Sequence, residues 1–375
     1  MSRRSFLKGL GGAILLSGIG SGVYVSQPKF GCSPSGRRLE RVLSSPNWDG
    51  GKFENYEPFG KALGLDRSLG SKLKAMSEFI FPTKGVLIPD KAIPTVKTDL
   101  KKLSPQENVV IWLGHSSIYI QQDGLRILID PVLSGYASPL PFIVRAFPGT
   151  MLYTADDFPD IDLLVISHDH WDHLDYSAVM GLLPKVKQVV CPLGVDGHLV
   201  GWGFPDEIVQ ELDWFEEYRL DDRLTVCLTP SRHFSGRLFK RNQTLWGGFA
   251  FMFKGRKLFY SGDGGYGKHF KMIRERLGAF DFALMENGQY NEAWHNVHMF
   301  PEETAAAAEE IGAACVIPVH AGKFNICPSA WYVPYNGIAE ASAGRKYSLL
   351  TPRIGEPVAT DKKDHHYNQW WREVK

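Results

Sequence analysis

A chain of 375 residues with 44% apolar residues holds enough hydrophobic material for one large core or two modest ones, which argues against a disordered or fibrous protein. A formal net charge of +1 leaves no broad basic field, so nucleic acid is not expected as a partner. The five cysteines, Cys32, Cys191, Cys227, Cys315 and Cys327, include no C-x-x-C pair, so neither a disulfide framework nor a thiolate metal site is indicated.

At the amino terminus, Arg3-Arg4 stands between Ser2 and Phe6-Leu7-Lys8, and a Gly-rich uncharged stretch runs from Gly9 to Ser26. This charged-then-apolar order resembles a twin-arginine export signal, so residues 1–26 are expected to act as a signal or anchor. That route carries folded proteins and implies a periplasmic or cell-envelope location. Cleavage is left open because no A-x-A pattern precedes Gln27, and Lys29 and Phe30 ahead of Cys32 do not suit lipidation. No later stretch reaches the roughly 18 apolar residues of a spanning helix, so the remainder is expected to be soluble.

Residues 27–106 are polar, punctuated by Pro and Gly, and read as an extension wrapping the core, with one helix expected near Ser71–Glu78. From Val109 short apolar runs begin: Val109–Leu113, Ser117–Gln121 and Leu125–Ile129, the last two joined across Asp123-Gly124 as a hairpin. Further strands are expected at Asp162–Ile166, Gln188–Cys191, Leu224–Leu228, Trp246–Phe253, Lys257–Tyr260, Phe282–Met285 and Val316–Val319. Helical patterns fall at Tyr176–Leu183, Lys268–Leu277 and Glu302–Ile311, the last opening on Pro301 and acidic residues. This irregular alternation favours a layered α/β arrangement with two facing sheets over a regular doubly wound sheet. A catalytic domain is expected over 107–357 and a charged tail over 358–375, whose Trp370 and Trp371 dock on the body or on a partner subunit; oligomeric state is left open.

The chemistry is concentrated where Leu163-Leu164-Val165-Ile166-Ser167 runs into His168-Asp169-His170-Trp171-Asp172-His173. A buried strand that ends in so many imidazoles and carboxylates is unfavourable unless they bind something. Alternation puts His168 and His170 on one side of the chain, where two neutral imidazoles meet one cation, and Asp172 with His173 reach a second. Histidine and carboxylate donors without thiolate favour Zn2+ or another borderline divalent metal. Two metals sharing a bridge need further ligands. Three candidates each follow an apolar run: His233 after Thr225–Pro230, Asp263 after Leu258–Gly262, and His320 after Val316–Val319. His115, Asp130 and Asp169 are candidates for holding the ligands in orientation.

With these residues in view, the chain resembles the metallo-β-lactamase superfamily, and within it the N-acyl-phosphatidylethanolamine-hydrolysing phospholipase D group and its bacterial relatives. The likeness runs from about Asn108 to Trp331. Beside the cluster it rests on Trp112-Leu113-Gly114-His115, Asp130-Pro131, Glu211-Leu212-Asp213-Trp214, Thr229-Pro230-Ser231-Arg232-His233, Leu245-Trp246-Gly247, Gly262-Asp263, and His298 before Pro301-Glu302-Glu303. The resemblance implies a four-layer αββα sandwich of the metallo-β-lactamase type. It also implies that His168, His170 and His233 hold one metal, that Asp172, His173 and His320 hold the other, and that Asp263 bridges them, with His298 facing substrate. Two departures stand out: Gly264 where the lipid-cleaving enzymes usually carry threonine, and Glu286-Asn287-Gly288-Gln289-Tyr290 in place of a mostly apolar stretch.

The expected function is a zinc-dependent phosphodiesterase acting on a phospholipid-like substrate through a metal-bridging hydroxide, with Asp172, Asp263 and His298 catalytic. Pro139–Pro148 reads as a lipid-facing lid or as a loop folded on the core, with Arg145 available to a phosphate and Glu286 near the substrate. Peripheral membrane contact follows from the lid reading. The alternatives are a hydrolase of a lactone, cyclic nucleotide or other small ester, toward which the polar 286–290 stretch inclines, and a non-catalytic metal-binding protein. β-Lactam hydrolysis fits Asp172 beside His173 less well.

Overall fold

Most of the strand segments are short, rich in β-branched and aromatic residues, and buried on both faces, so they carry a packing layer on either side. The computed structural model describes residues 24–59, 70, 77, 81, 83–237, 240–362 and 365–374. The expected leader and the helix expected over Ser71–Glu78 fall outside the described residues, apart from 24–26 and Ser77.

After a short 3-10 turn at Pro28–Phe30 comes a helix that the sequence reading missed, α1 (Gly36–Ser44). It buries only Val42 and Arg38, so one of its two inward side chains is an arginine and no apolar stripe announces it. The first sheet takes β1 (Val109–Trp112), β2 (Ile118–Gln122), β3 (Leu125–Ile129), β4 (Leu163–Val165), β5 (Val189–Pro192) and β6 (Val209–Leu212) in that order. The second takes β7 (Glu217–Arg219), β8 (Leu224–Thr229), β9 (Gly248–Phe253), β10 (Arg256–Tyr260), β11 (Phe280–Glu286), β12 (Ala313–Val319) and β13 (Ser348–Leu349). A late strand, β14 (Pro357–Ala359), returns to pair antiparallel with β1, completing seven strands in each sheet; it straddles the expected start of the tail. Asp123 and Gly124, at φ 52 and 74, form the tight turn between β2 and β3, where Gln122 faces Leu125.

Alternation assigns the layers. Ile127 and Ile129 of β3 join a central core with Phe249, Phe251, Leu258, Tyr260 and Leu284 of the second sheet. Leu128, between them, faces the other way toward α2 (Tyr176–Leu182) and α3 (Val195–Gly201) through Val179, Leu182 and Leu199. On the far face of the second sheet, Phe259, Ala283 and Val316 pack with α4 (His269–Leu277), α5 (Pro301–Glu310) and α6 (Val333–Ala341). The result is the αββα sandwich. α3, β6, β7, β13, β14 and α6 were not expected from sequence, being short or weakly patterned. Trp370 and Trp371 dock on the body: both rings meet Tyr335, and Trp371 Nε1 donates to Asn336 Oδ1 at 2.9 Å.

Strand direction then places the site. β1, β3 and β4 run the same way in the first sheet, as do β8, β10, β11 and β12 in the second. Their carboxyl ends therefore open on one edge of the sandwich, where open α/β sheets collect their chemistry.

Candidate metal centre

Each cluster residue leaves one of those carboxyl ends. His115 follows β1, Asp130 follows β3, His168 to His173 follow β4, His233 follows β8, Asp263 follows β10, Glu286 ends β11 and His320 follows β12. Three of these turns need left-handed backbone: His115, Asp130 and His320 have φ 54, 43 and 67, values that non-glycine residues rarely adopt and that are held where function requires them. Two backbone bonds clamp the sheets together there, His320 N to His115 O at 2.9 Å and His115 N to Ala321 O at 3.2 Å. Asp263 is aimed by Gly262 at φ 60, where an added Cβ would sit 2.3 Å from Gly247 O, so only glycine fits.

Two groups of donors result. His170 Nδ1 lies 2.9 Å from His168 Nε2 and 3.2 Å from His233 Nε2. The second group gathers Asp172, His173 and His320 together with His115, whose Nε2 is 3.0 Å from Asp172 Oδ2. Asp263 stands between them: its Oδ2 is 3.0 Å from His173 Nε2, 3.9 Å from His168 Nε2 and 3.8 Å from His233 Nε2, and its Oδ1 is 3.0 Å from His320 Nδ1. Behind His173, Asp130 Oδ2 is 2.8 Å from Nδ1; the same carboxylate accepts from Ser167 N at 2.8 Å and Tyr260 OH at 2.6 Å.

These residues fit metal ions. Nitrogens bound at about 2.0–2.1 Å to one ion are themselves about 3 Å apart, the spacing of the His168, His170 and His233 nitrogens. His320 Nε2 and His115 Nδ1 are buried without a hydrogen-bond partner among the described residues, a state that polar atoms avoid unless something else meets them. Burial pushes His168 and His233 well below the ordinary imidazole value and His320 down to about 3, so these rings carry the free lone pairs a cation needs. His173 differs: burial opposes its charge, but Asp263 and Asp172 hold it well above that value. Those two carboxylates, which burial alone would raise, are in turn held well below theirs, chiefly by His173.

His298 lies against both groups, stacked at 4.9 Å on His320 and 5.3 Å edge-on to His233, with Nδ1 3.1 Å from Glu286 Oε1. Burial pushes Glu286 up to about 7, against the pull of His298, and the carboxylate raises His298 against its own burial. The other polar atoms of 286–290 are largely spent inside the protein. Asn287 Nδ2 donates to Pro334 O at 3.0 Å, and Gln289 Oε1 accepts from Ile326 N at 2.8 Å and Cys327 N at 3.1 Å.

Two candidates stand away from the cluster. Arg145 is exposed on the hairpin in which Tyr136 pairs with Arg145, and no hydrogen bond or ion pair among the described residues joins it to the cluster. That hairpin is part lid and part core: Phe142 is 43% exposed whereas Phe147 is buried, and Phe324 carries the contact inward to His115. Asp169 turns away from the ligating atoms; its carboxylate takes Gly236 N at 2.7 Å and lies 3.2 Å from His198 Nε2.

Asp169 belongs to a network the sequence reading missed. Arg237 donates to Asp169 O and Leu174 O, both at 2.8 Å, and to Lys29 O at 2.8 and 3.0 Å, with its guanidinium 4.0 Å over the Trp171 ring. Residues 24–32 thereby form a strap over the outside of the 168–174 loop, with Phe30 edge-on to Trp171 and Cys32 N donating to His198 Nδ1 at 2.9 Å. Arg237 lies four positions beyond His233 with no periodicity to mark it; its only signal was a charged residue close after an expected ligand.

A family model described as Beta-lactamase superfamily domain matches residues 125–321. An uncharacterized protein of Mycobacterium tuberculosis is 34% identical over 88% of this chain and 88% of its own length. The N-acyl-phosphatidylethanolamine-hydrolyzing phospholipase D 1 of Caenorhabditis elegans is 28% identical over 84% of this chain and 95% of its own. Among solved structures, the metallo hydrolase Igni18 of Ignicoccus hospitalis superposes with a TM-score of 0.54 at 21% identity, over 68% of this chain and 98% of that one. That last likeness is one of fold.

Proposed function

Since the chain belongs to the β-lactamase superfamily of metal-dependent hydrolases, we propose that it is a two-metal phosphodiesterase acting on a phospholipid-like substrate. The observation that carries this reading is the position of Asp263, whose carboxylate touches both donor groups at once. His168, His170 and His233 would hold one divalent cation, and Asp172, His173 and His320 the other. Zn2+ is the proposed ion because the donors are imidazole and carboxylate without thiolate. Such a pair of cations supplies acidified water and charge neutralisation at the attacked group. The chain's own part is to fix the imidazoles in their ligating form through burial, to orient His173 through Asp130, and to present His298 to the phosphoryl group or its leaving oxygen. The name of the nematode relative supports the phosphodiester class.

A lactone or other small-ester substrate is the second reading. Its sequence argument was the polarity of 286–290, and the side-chain amides there bond largely to backbone within the protein, which weakens it. Peripheral membrane contact is proposed for the 136–147 hairpin, where Phe142 is exposed, and export to the periplasm for the amino-terminal leader. No helix among the described residues is long and apolar enough to cross a membrane.

The test is to count bound metal in the purified full chain and to assay bis-p-nitrophenyl phosphate and N-acyl-phosphatidylethanolamine. Two ions per chain and turnover of both esters, lost in Asp263→Ala, would support the proposal. Two ions with turnover of a lactone alone would move the assignment to the second reading.

A further inference from the structure

Solvent reaches the donor cluster at few points. His168, His173, His233, Asp263 and His320 are buried, whereas His170, Asp172 and His298 are partly exposed, so these three mark its mouth. Beside His170 the rim is built by the hairpin that follows His233. Asn242 N donates to Ser235 O at 3.0 Å and closes its base, while Asn242 Nδ2 donates to Phe53 O at 3.1 Å and ties that base to the body. The residues next to this closure are thereby held side by side. The guanidinium carbon of Arg241 lies 5.1 Å from the centre of the Phe234 ring, and that ring lies 4.5 Å from His170 and 4.8 Å from His233. Arg241 is exposed and makes no hydrogen bond or ion pair among the described residues, so its donors are free while the aromatic contact restricts where they point. Arg237, on the same hairpin, is instead spent on carbonyl oxygens inside the protein.

We propose that Arg241 is a specificity-determining residue that binds a second anionic group, a carboxylate or phosphate that the substrate carries next to its scissile phosphodiester. The inference rests on the phosphodiesterase reading of the same site and narrows its substrate class. The scissile group is met at the donor cluster itself; a guanidinium one aromatic ring further out stands beside the next part of the same molecule. Arginine suits that place because its planar fork takes two oxygens of one carboxylate or phosphate at once, which an ammonium does not. Since the side chain is exposed and salt screens it, the contact discriminates between substrates more than it adds affinity. Anionic lipids in a bilayer would offer the same chemistry from a neighbouring molecule, and the experiment separates the two sources.

Three soluble p-nitrophenyl phosphodiesters vary the charge: one whose second alcohol is glycolate, its methyl ester, and p-nitrophenylphosphocholine. In the full chain, Arg241→Ala is expected to raise KM for the glycolate ester about three- to fivefold more than for the methyl ester, with the change in KM rather than kcat. That difference should shrink at about 0.5 M salt. Arg241→Lys should recover only part of it, and Arg241→Glu should turn the preference toward the choline ester. Equal changes on all three esters would reduce Arg241 to a cover for Phe234 and overturn the proposal. An effect confined to N-acyl-phosphatidylethanolamine in vesicles containing phosphatidylglycerol, and absent from the soluble esters, would assign the anion to the bilayer and overturn it as well. Titration calorimetry with 3-phosphonopropionate against propylphosphonate reads the contact without turnover. The native chain is expected to bind the first more tightly and Arg241→Ala to lose that advantage; an advantage retained in the variant would sink the idea. If the native chain hydrolyses no phosphodiester, the substrate reading fails while the calorimetry still decides the role of Arg241.

Discussion

Oδ2 of Asp130 stands 2.8 Å from Nδ1 of His173, and the opposite nitrogen of that ring stands 3.0 Å from Asp263. The end of β3 thus sets the orientation of a ring that emerges after β4. Carboxylates behind ligating histidines typically contribute 10–100-fold in metal affinity. Asp130→Asn is therefore expected to weaken metal binding by about that factor, measured by chelator competition, while the far-ultraviolet dichroism stays native.

Ligand removal should separate the two donor groups. His233→Gln is expected to lose metal from the group with His168 and His170, and His320→Gln from the group with Asp172 and His173, each dropping by about one ion per chain by mass spectrometry of the metal. Because ions that bind only the folded state stabilise it, EDTA should lower the Tm of the native chain and lower it less in either variant.

Arg38 makes a third test, one of stability. Its guanidinium is buried between Glu211, Asp196 at 3.4 Å and Asp206 at 2.8 Å, and it also donates to Val209 O at 3.1 Å. Removing one partner of a buried ion network leaves uncompensated charge, so Arg38→Met is expected to lower unfolding free energy by about 3–5 kcal/mol in urea titration.

Asp196 predicts a pH dependence. Burial first, then the neighbouring Glu211, raises its carboxyl from 3.8 to about 6 in the folded chain, against the pull of Arg38. Folding thus favours the protonated form, and the native state holds more protons than the unfolded state between those values. The stabilisation from this group is full below about pH 4 and is lost as pH rises through about 6. Asp196→Asn, which stays neutral, should gain stability relative to the native chain over that interval, reaching about 1–3 kcal/mol at pH 7. A constant difference from pH 4 to 7 would remove Asp196 from the account.

Much of the fold was legible because strands buried on both faces read as short apolar runs: Leu125–Ile129 and Leu224–Leu228 read as strands with no knowledge of their partners. The 163–173 segment was legible for a different reason, that so many ionisable groups after a buried strand need a shared purpose. What could not be read was contact between distant pieces. His115 joins Asp172 and His320 only because β1 and β12 end on the same edge, and nothing near Gly114 says so. Arg38 and Arg237 look like surface charges in sequence, yet both are buried, their donors spent on carboxylates and carbonyl oxygens that the fold alone brings near. β6 and β7 were missed because Glu211, Glu217 and Arg219 break the apolar pattern on strands near the end of each sheet.

The strap of residues 24–32 has a consequence for the order of events in time. Its bonds to His198 and Arg237 span 166 and 208 positions of sequence. Closing loops of that length is entropically unfavourable until the intervening sheets exist, so the strap docks after them in folding. The same reasoning run backwards makes it an early piece to release in native-state fluctuation, since its undocking frees few core residues. Opening of the strap would uncover Trp171 and the outer side of the 168–174 loop while both sheets stay intact, so amide exchange in that loop should track a local opening rather than global unfolding.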